Sequence, residues 1–106
     1  PVANRVEPGK RPRSSMAPTL VFDERSGEPL LTAGSPGGSF IIPYTAKVLH
    51  GVLQWGLHPQ AAVDLPNFGT LGGPLVLEGG RFPAATADTL RQRGHTVQEG
   101  EFTSGA

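Results

Sequence analysis

One junction constrains this chain more than any other. A Gly-rich stretch, Gly34-Ser35-Pro36-Gly37-Gly38-Ser39, runs straight into the longest periodic apolar pattern in the sequence. Ile41, Thr45, Val48, Val52 and Trp55 recur at helical spacing, and Ile42, Leu49 and Leu53 fill the neighbouring stripe. This predicts an amphipathic helix whose wide apolar face needs cover on more than one side, with Trp55 in core packing. Ser39 is a candidate N-cap, Pro43 falls early enough to be tolerated, and Gly56 is a fitting stop. Any fold must bury that helix with little else. Gly and Pro number 15 and 11, and apolar residues are 37% of the chain, so the core is thin for the length. The 106 residues admit one domain and exclude two, since a domain takes ~100–200 residues.

Shorter elements flank the helix. Residues 1–17 read as a loop. Thr19-Leu20-Val21-Phe22 and Pro29-Leu30-Leu31-Thr32-Ala33 read as a β-hairpin around a polar turn ending in Gly27. The returning strand is nearly all apolar, which predicts burial on both faces. Pro59 to Asp64 reads as a short helix, Pro66 to Pro74 as loop, and Leu75 to Glu78 as a strand. Pro83 opens a helix through Arg93, with Ala87 and Leu90 inward and Gly94 as its left-handed cap. Thr96 to Glu99 reads as a last strand, and Glu101 to Ala106 as a polar end. The order β, β, α, α, β, α, β predicts a mixed α+β layered fold. Its thin core suits a chain that packs against something larger.

Several function classes drop out. Nine Lys plus Arg balance nine Asp plus Glu, which argues against partners chosen by bulk charge, such as nucleic acid or a membrane surface. Four of the cations, Arg5, Lys10, Arg11 and Arg13, cluster near the start, as a solvated segment or a patch for an anionic substrate. There is no Cys, so disulfides, thiolate chemistry and Cys-type zinc sites are excluded, while the redox compartment stays open. Phe40 to Leu57 is interrupted by Pro43, Lys47, His50 and Gln54, so it is no membrane span. No apolar signal region follows the first basic residues. The chain starts Pro1-Val2-Ala3 without Met, as expected of a processed chain or a piece of a longer one. His50, His58 and His95 lack metal-ligand spacing, and no nucleophile elbow occurs, while a Ser–His–Asp triad drawn from dispersed residues stays open.

Two places suit chemistry. At the Gly-rich turn a strand ends and a helix begins, where free N–H groups, partial positive charge and glycine's close approach suit an anion or a developing oxyanion. It is neither a phosphate-binding P-loop nor a dinucleotide fingerprint. A tight connection with no ligand is the plain alternative. Ser14-Ser15, between Arg13 and Met16, offers adjacent hydroxyls to a carboxylate, or forms an ordinary polar loop.

Taken together, Arg11-Pro12-Arg13-Ser14-Ser15-Met16-Ala17-Pro18-Thr19 followed by Gly34-Ser35-Pro36-Gly37-Gly38-Ser39 resembles the small catalytic subunit of the γ-glutamyltransferase (γ-glutamyltranspeptidase) family. Asn4 to Lys10, Gly56-Leu57, Ala61-Ala62 before Pro66, and Gly94-His95 extend the likeness over the whole chain. The resemblance implies an N-terminal-nucleophile hydrolase αββα sandwich, with residues 1–106 as a single partial domain. It implies a self-cleaving precursor whose freed Thr attacks γ-glutamyl amides such as glutathione. The acyl-enzyme then passes to water, an amino acid or a peptide. By the same resemblance, Ser14 and Ser15 hold the substrate's α-carboxylate, and Gly37 and Gly38 supply the oxyanion N–H pair. The nucleophile lies outside the chain, and Thr19, Thr32 and Thr45 are not candidates. The implied partners are the large subunit and the remainder of the small subunit. No cofactor or metal is implied, and the location is periplasmic or secreted. Arg13 stands where the family usually has an apolar residue, and Pro66-Asn67-Phe68 where Pro-Arg is common. Cephalosporin acylases and a capsule-processing enzyme share these motifs, so an acylase of other amides is the alternative within the chemistry. A non-catalytic binding domain is the alternative outside it.

Overall fold

The computed structural model describes residues 2–104 and 106; Pro1 and Gly105, at the ends of the two terminal loop expectations, lie outside the described residues. Strands β1 (Thr19–Phe22) and β2 (Pro29–Ala33) pair antiparallel with Thr19 opposite Ala33 and Val21 opposite Leu31. Their turn forms as its residues require. The Asp23 carboxylate accepts the Arg25 and Ser26 amides at 3.0 and 2.7 Å, and Gly27 takes φ +72°. Ahead of them, residues 2–17 are irregular apart from a 3₁₀ turn at Val2–Asn4 and a turn at Pro8-Gly9, where the Lys10 amide donates to the Glu7 carbonyl at 3.2 Å.

A 3₁₀ turn at Gly38–Phe40 leads into α1 (Ile41–Leu53). Tyr44, Thr45, Lys47, Val48 and Gly51 form its buried face. α2 (Pro59–Asp64) follows, with Ala62 fully buried against α1. There a Cβ on Gly51 would lie 3.0 Å from that of Ala62, so the two helices approach closely because one position is glycine.

β3 (Phe68–Gly69), β4 (Leu75–Glu78) and β5 (Val97–Gly100) make a second sheet in the order β3-β4-β5. β4 and β5 are parallel, joined through α3 (Ala84–Gln92), since parallel neighbours need a crossover connection. α3 ends in a Schellman arrangement: the Gly94 amide donates to the Arg91 carbonyl, the His95 amide to that of Leu90, and Gly94 has φ +96°.

Five sequence-based expectations need correction. β2 is not buried on both faces: Pro29, Leu30 and Thr32 are exposed, because its two-stranded sheet has a face that no described residue covers. Ser39 is not the N-cap; Phe40 holds that position, since the 3₁₀ turn delays the helix. Trp55 is 62% exposed rather than in the core, because α1 stops at Leu53 and the tryptophan falls in the turn beyond it. Ile42 and Leu53, from the second apolar stripe, are also exposed. Within the expected loop 66–74, Phe68–Gly69 is a strand, paired with Leu77 and Val76, a non-local partnership invisible in a two-residue pattern.

Candidate functional site

The Gly-rich turn departs from ordinary backbone at both central glycines. Gly37 has φ +128° and Gly38 φ +60°, values that glycine adopts without the penalty other residues meet. The Phe40 and Ile41 amides donate back to the Gly37 and Gly38 carbonyls. Among the described residues, no protein acceptor takes the N–H of Gly37 or of Gly38. Both are therefore donors at the entry to a helix, where an anion is favoured.

Ser14 and Ser15 lie on the irregular segment ahead of β1. The Ser14 hydroxyl oxygen accepts the Met16 amide at 3.2 Å, which orients the side chain and leaves its O–H proton to donate elsewhere. Ser14 is exposed and Ser15 half-buried. The preceding residue ties this segment to the turn. The Arg13 guanidinium donates to the Ser39 hydroxyl at 3.3 Å, and the Arg13 amide donates to the Asn4 side-chain oxygen at 3.0 Å. Ser39, expected as a cap, thus serves as the acceptor that joins the two motifs. Sequence reasoning had no signal for that bridge, since 26 residues separate its ends.

Behind the turn lies Tyr44, 3% exposed. A Cβ on Gly37 would overlap the Tyr44 ring, falling 3.0 Å from Cδ2 and closer still to Cε2. Burial pushes the Tyr44 phenol up, against an opposing backbone hydrogen bond from Thr103. The ring lies 6.2 Å from that of Phe40 and 5.9 Å, edge-on, from that of Phe102. Helical periodicity placed Tyr44 on no stripe, so this residue was missed.

The three histidines do not converge. His58 caps α2, its Nδ1 accepting the Gln60 amide at 3.2 Å. His50 meets Trp55 edge-on at 4.9 Å, and His95 belongs to the α3 terminus. No cluster of three potential metal ligands occurs among the described residues.

This architecture and turn define a class: part of an N-terminal-nucleophile hydrolase sandwich. The gamma-glutamyltranspeptidase family model matches residues 1–106, and the chain belongs to that family. A glutathione hydrolase proenzyme from Bacillus subtilis (strain 168) is 43% identical over 68 residues, 64% of this chain and 11% of that protein. The Acylase ACY 1 proenzyme of Pseudomonas sp. (strain SE83) is 36% identical over 92 residues, 87% of this chain and 16% of that protein. Among solved structures, a mutant Helicobacter pylori gamma-glutamyltranspeptidase superposes with a TM-score of 0.84 at 34% identity. That match covers 96% of this chain and 55% of the solved one. The chain thus spans a small part of the proenzymes it matches and about half of the solved chain.

Proposed function

We propose that these residues are the substrate-holding part of a γ-glutamyltransferase or glutathione hydrolase that cleaves γ-glutamyl amides through an acyl-enzyme. Ser14 and Ser15 donate hydrogen bonds to the substrate's α-carboxylate. The Gly37 and Gly38 amides receive the oxyanion that forms when the γ-carbonyl is attacked. The attacking threonine is supplied by the same precursor outside residues 1–106, and Thr19, Thr32 and Thr45 have no part in the attack. The acyl group passes to water, an amino acid or a peptide. The large subunit and the remainder of the small subunit complete the site, and residues 1–106 form one partial domain. The whole protein works in the periplasm or outside the cell, which fractionation of its source would check.

One observation carries this reading: the Arg13–Ser39 hydrogen bond joins the serine pair to the turn whose two amides meet no acceptor among the described residues. A carboxylate site and an oxyanion site joined this way suit a substrate with a charged group at one end and a scissile amide at the other. The test is Ser14→Ala with Ser15→Ala in the complete processed enzyme. Each hydrogen bond to a charged group is worth about 1.5–3 kcal/mol, so KM for γ-glutamyl-p-nitroanilide should rise at least about tenfold. 4-Aminobutyryl-p-nitroanilide, which lacks the α-carboxylate, should hardly respond. Equal losses on both substrates would refute carboxylate recognition.

The match to the acylase proenzyme over 87% of the chain favours a second reading, an amidohydrolase for acyl groups other than γ-glutamyl. Wild-type enzyme preferring glutaryl-p-nitroanilide, which lacks the α-amino group, over γ-glutamyl-p-nitroanilide would establish it.

A further inference from the structure

An oxyanion site must be preorganised, because a donor that drifts stabilises the transition state poorly. Two adjacent glycines make that hard, since glycine has more backbone freedom than any other residue. The turn's own hydrogen bonds are few: the Phe40 amide reaches the Gly37 carbonyl at 3.2 Å, and the Ile41 amide reaches that of Gly38. Something else must hold Gly37 at φ +128°.

The candidate is the ring beside it. A methyl group on Gly37 would fall within the Tyr44 ring, so the ring occupies the space beside the Gly37 Cα and leaves none for a side chain. Tyr44 is itself fixed. It is 3% exposed, it stands one turn into α1 from Phe40, and Phe102 abuts both rings at 5.3 and 5.9 Å. The tail after β5 thereby braces the ring, and the ring braces the turn. Gly38 lacks such a neighbour, with nothing among the described residues within 4 Å of where its Cβ would be.

We propose that Tyr44 is a positioning residue: its ring, braced by Phe40 and Phe102, holds Gly37 so that the Gly37 and Gly38 amides point at the reacting carbonyl. This rests on the oxyanion reading of the turn. It assigns the hydroxyl a lesser part than the ring.

The test uses the complete processed enzyme and γ-glutamyl-p-nitroanilide. Tyr44→Leu should lower kcat at least about tenfold, since small misplacements at a reacting centre have large effects, while KM changes little. Tyr44→Phe, which keeps the ring, should retain kcat within about twofold on the same reasoning. A Leu variant with wild-type kcat, or one whose KM rises as steeply as kcat falls, overturns the proposal. So does a Phe variant as impaired as Leu. If the Leu variant does not fold, Phe102→Leu, which removes the brace, decides: lowered kcat at constant KM supports the proposal, and unchanged kcat overturns it. Gly38→Ala separates the two levels. If Gly38→Ala impairs kcat and the Tyr44 and Phe102 variants do not, only the positioning role falls. If Gly38→Ala is silent too, the oxyanion reading falls with it.

Discussion

Gly37 and Gly38 are neighbours, but they answer differently to an added methyl. At Gly38 the space is open and φ is +60°, a left-handed conformation that costs a non-glycine residue about 1–2 kcal/mol. Gly38→Ala should therefore fold, keep its amide, and lower kcat with little change in affinity for a non-reacting analogue. At Gly37 the methyl meets the Tyr44 ring, and φ +128° lies in a region that suits glycine alone. Gly37→Ala should lose both thermal stability and kcat. Melting temperature and kcat on the two variants check this: a Gly37→Ala enzyme that melts like wild type would contradict the packing described. A plain structural turn would instead lose folding, binding and activity together at both positions.

Among the elements, the end of α2 shows how buried charge organises the region behind the site. The last carbonyls of a helix lack intrahelical partners, and here cations take them. Lys47 Nζ donates to Val63 and Leu65 at 2.9 and 2.7 Å, and Arg81 donates to Asp64 at 2.5 Å. Burial pulls the Lys47 ammonium below its ordinary value, and Glu78 counters that pull. Lys47→Met should lower stability by about 1–3 kcal/mol for each carbonyl left buried without a partner, read as a shift in the urea midpoint. Glu78 is the matching acid. Burial pushes its carboxyl up, but the Asn67 amide at 2.7 Å and the Arg81 guanidinium together outweigh burial, and the net shift is downward. A carboxyl with a depressed folded pKa adds stability that is complete above its unfolded value and is lost as pH falls through the folded one. The urea midpoint should therefore drop as pH falls below the ordinary glutamate value of 4.5. Glu78→Gln should flatten that drop, and an identical acid profile in the variant would count against it.

Across the whole molecule, the radius of gyration is 16.6 Å, against about 13 Å for a compact domain of this length. The extents are 47 × 46 × 23 Å, a slab rather than a globule. Leu20, Leu30 and Phe22 are exposed on the hairpin, and Trp55 and Phe68 flank an apolar hollow between α1 and β3. Surfaces of this kind mark interfaces. Expressed alone, residues 1–106 should bind a hydrophobic dye and self-associate, as light scattering would show. A monomer with a sharp two-state melt would contradict this.

What the residues determined by themselves was local. The hairpin turn follows from Asp23 and Gly27, α1 from the spacing of Ile41, Thr45 and Val48, and the α3 stop from Gly94. Each is a short-range requirement of backbone geometry, so each is written in a few adjacent residues. The serine pair and the Gly-rich turn were legible for the same reason, as motifs whose residue types suit anions. Tertiary structure alone decided the rest. β3 exists because Leu77 and Val76 lie across from Phe68 and Gly69. Lys47 is buried because the α2 carbonyls accept its charge. Trp55 is exposed because the helix ends two residues before it. Arg13 reaches Ser39, and Phe102 reaches Tyr44, across separations that no periodicity encodes. Packing selects such partners only once the chain has folded, and so the surroundings of the site belong to the fold rather than to any segment of it.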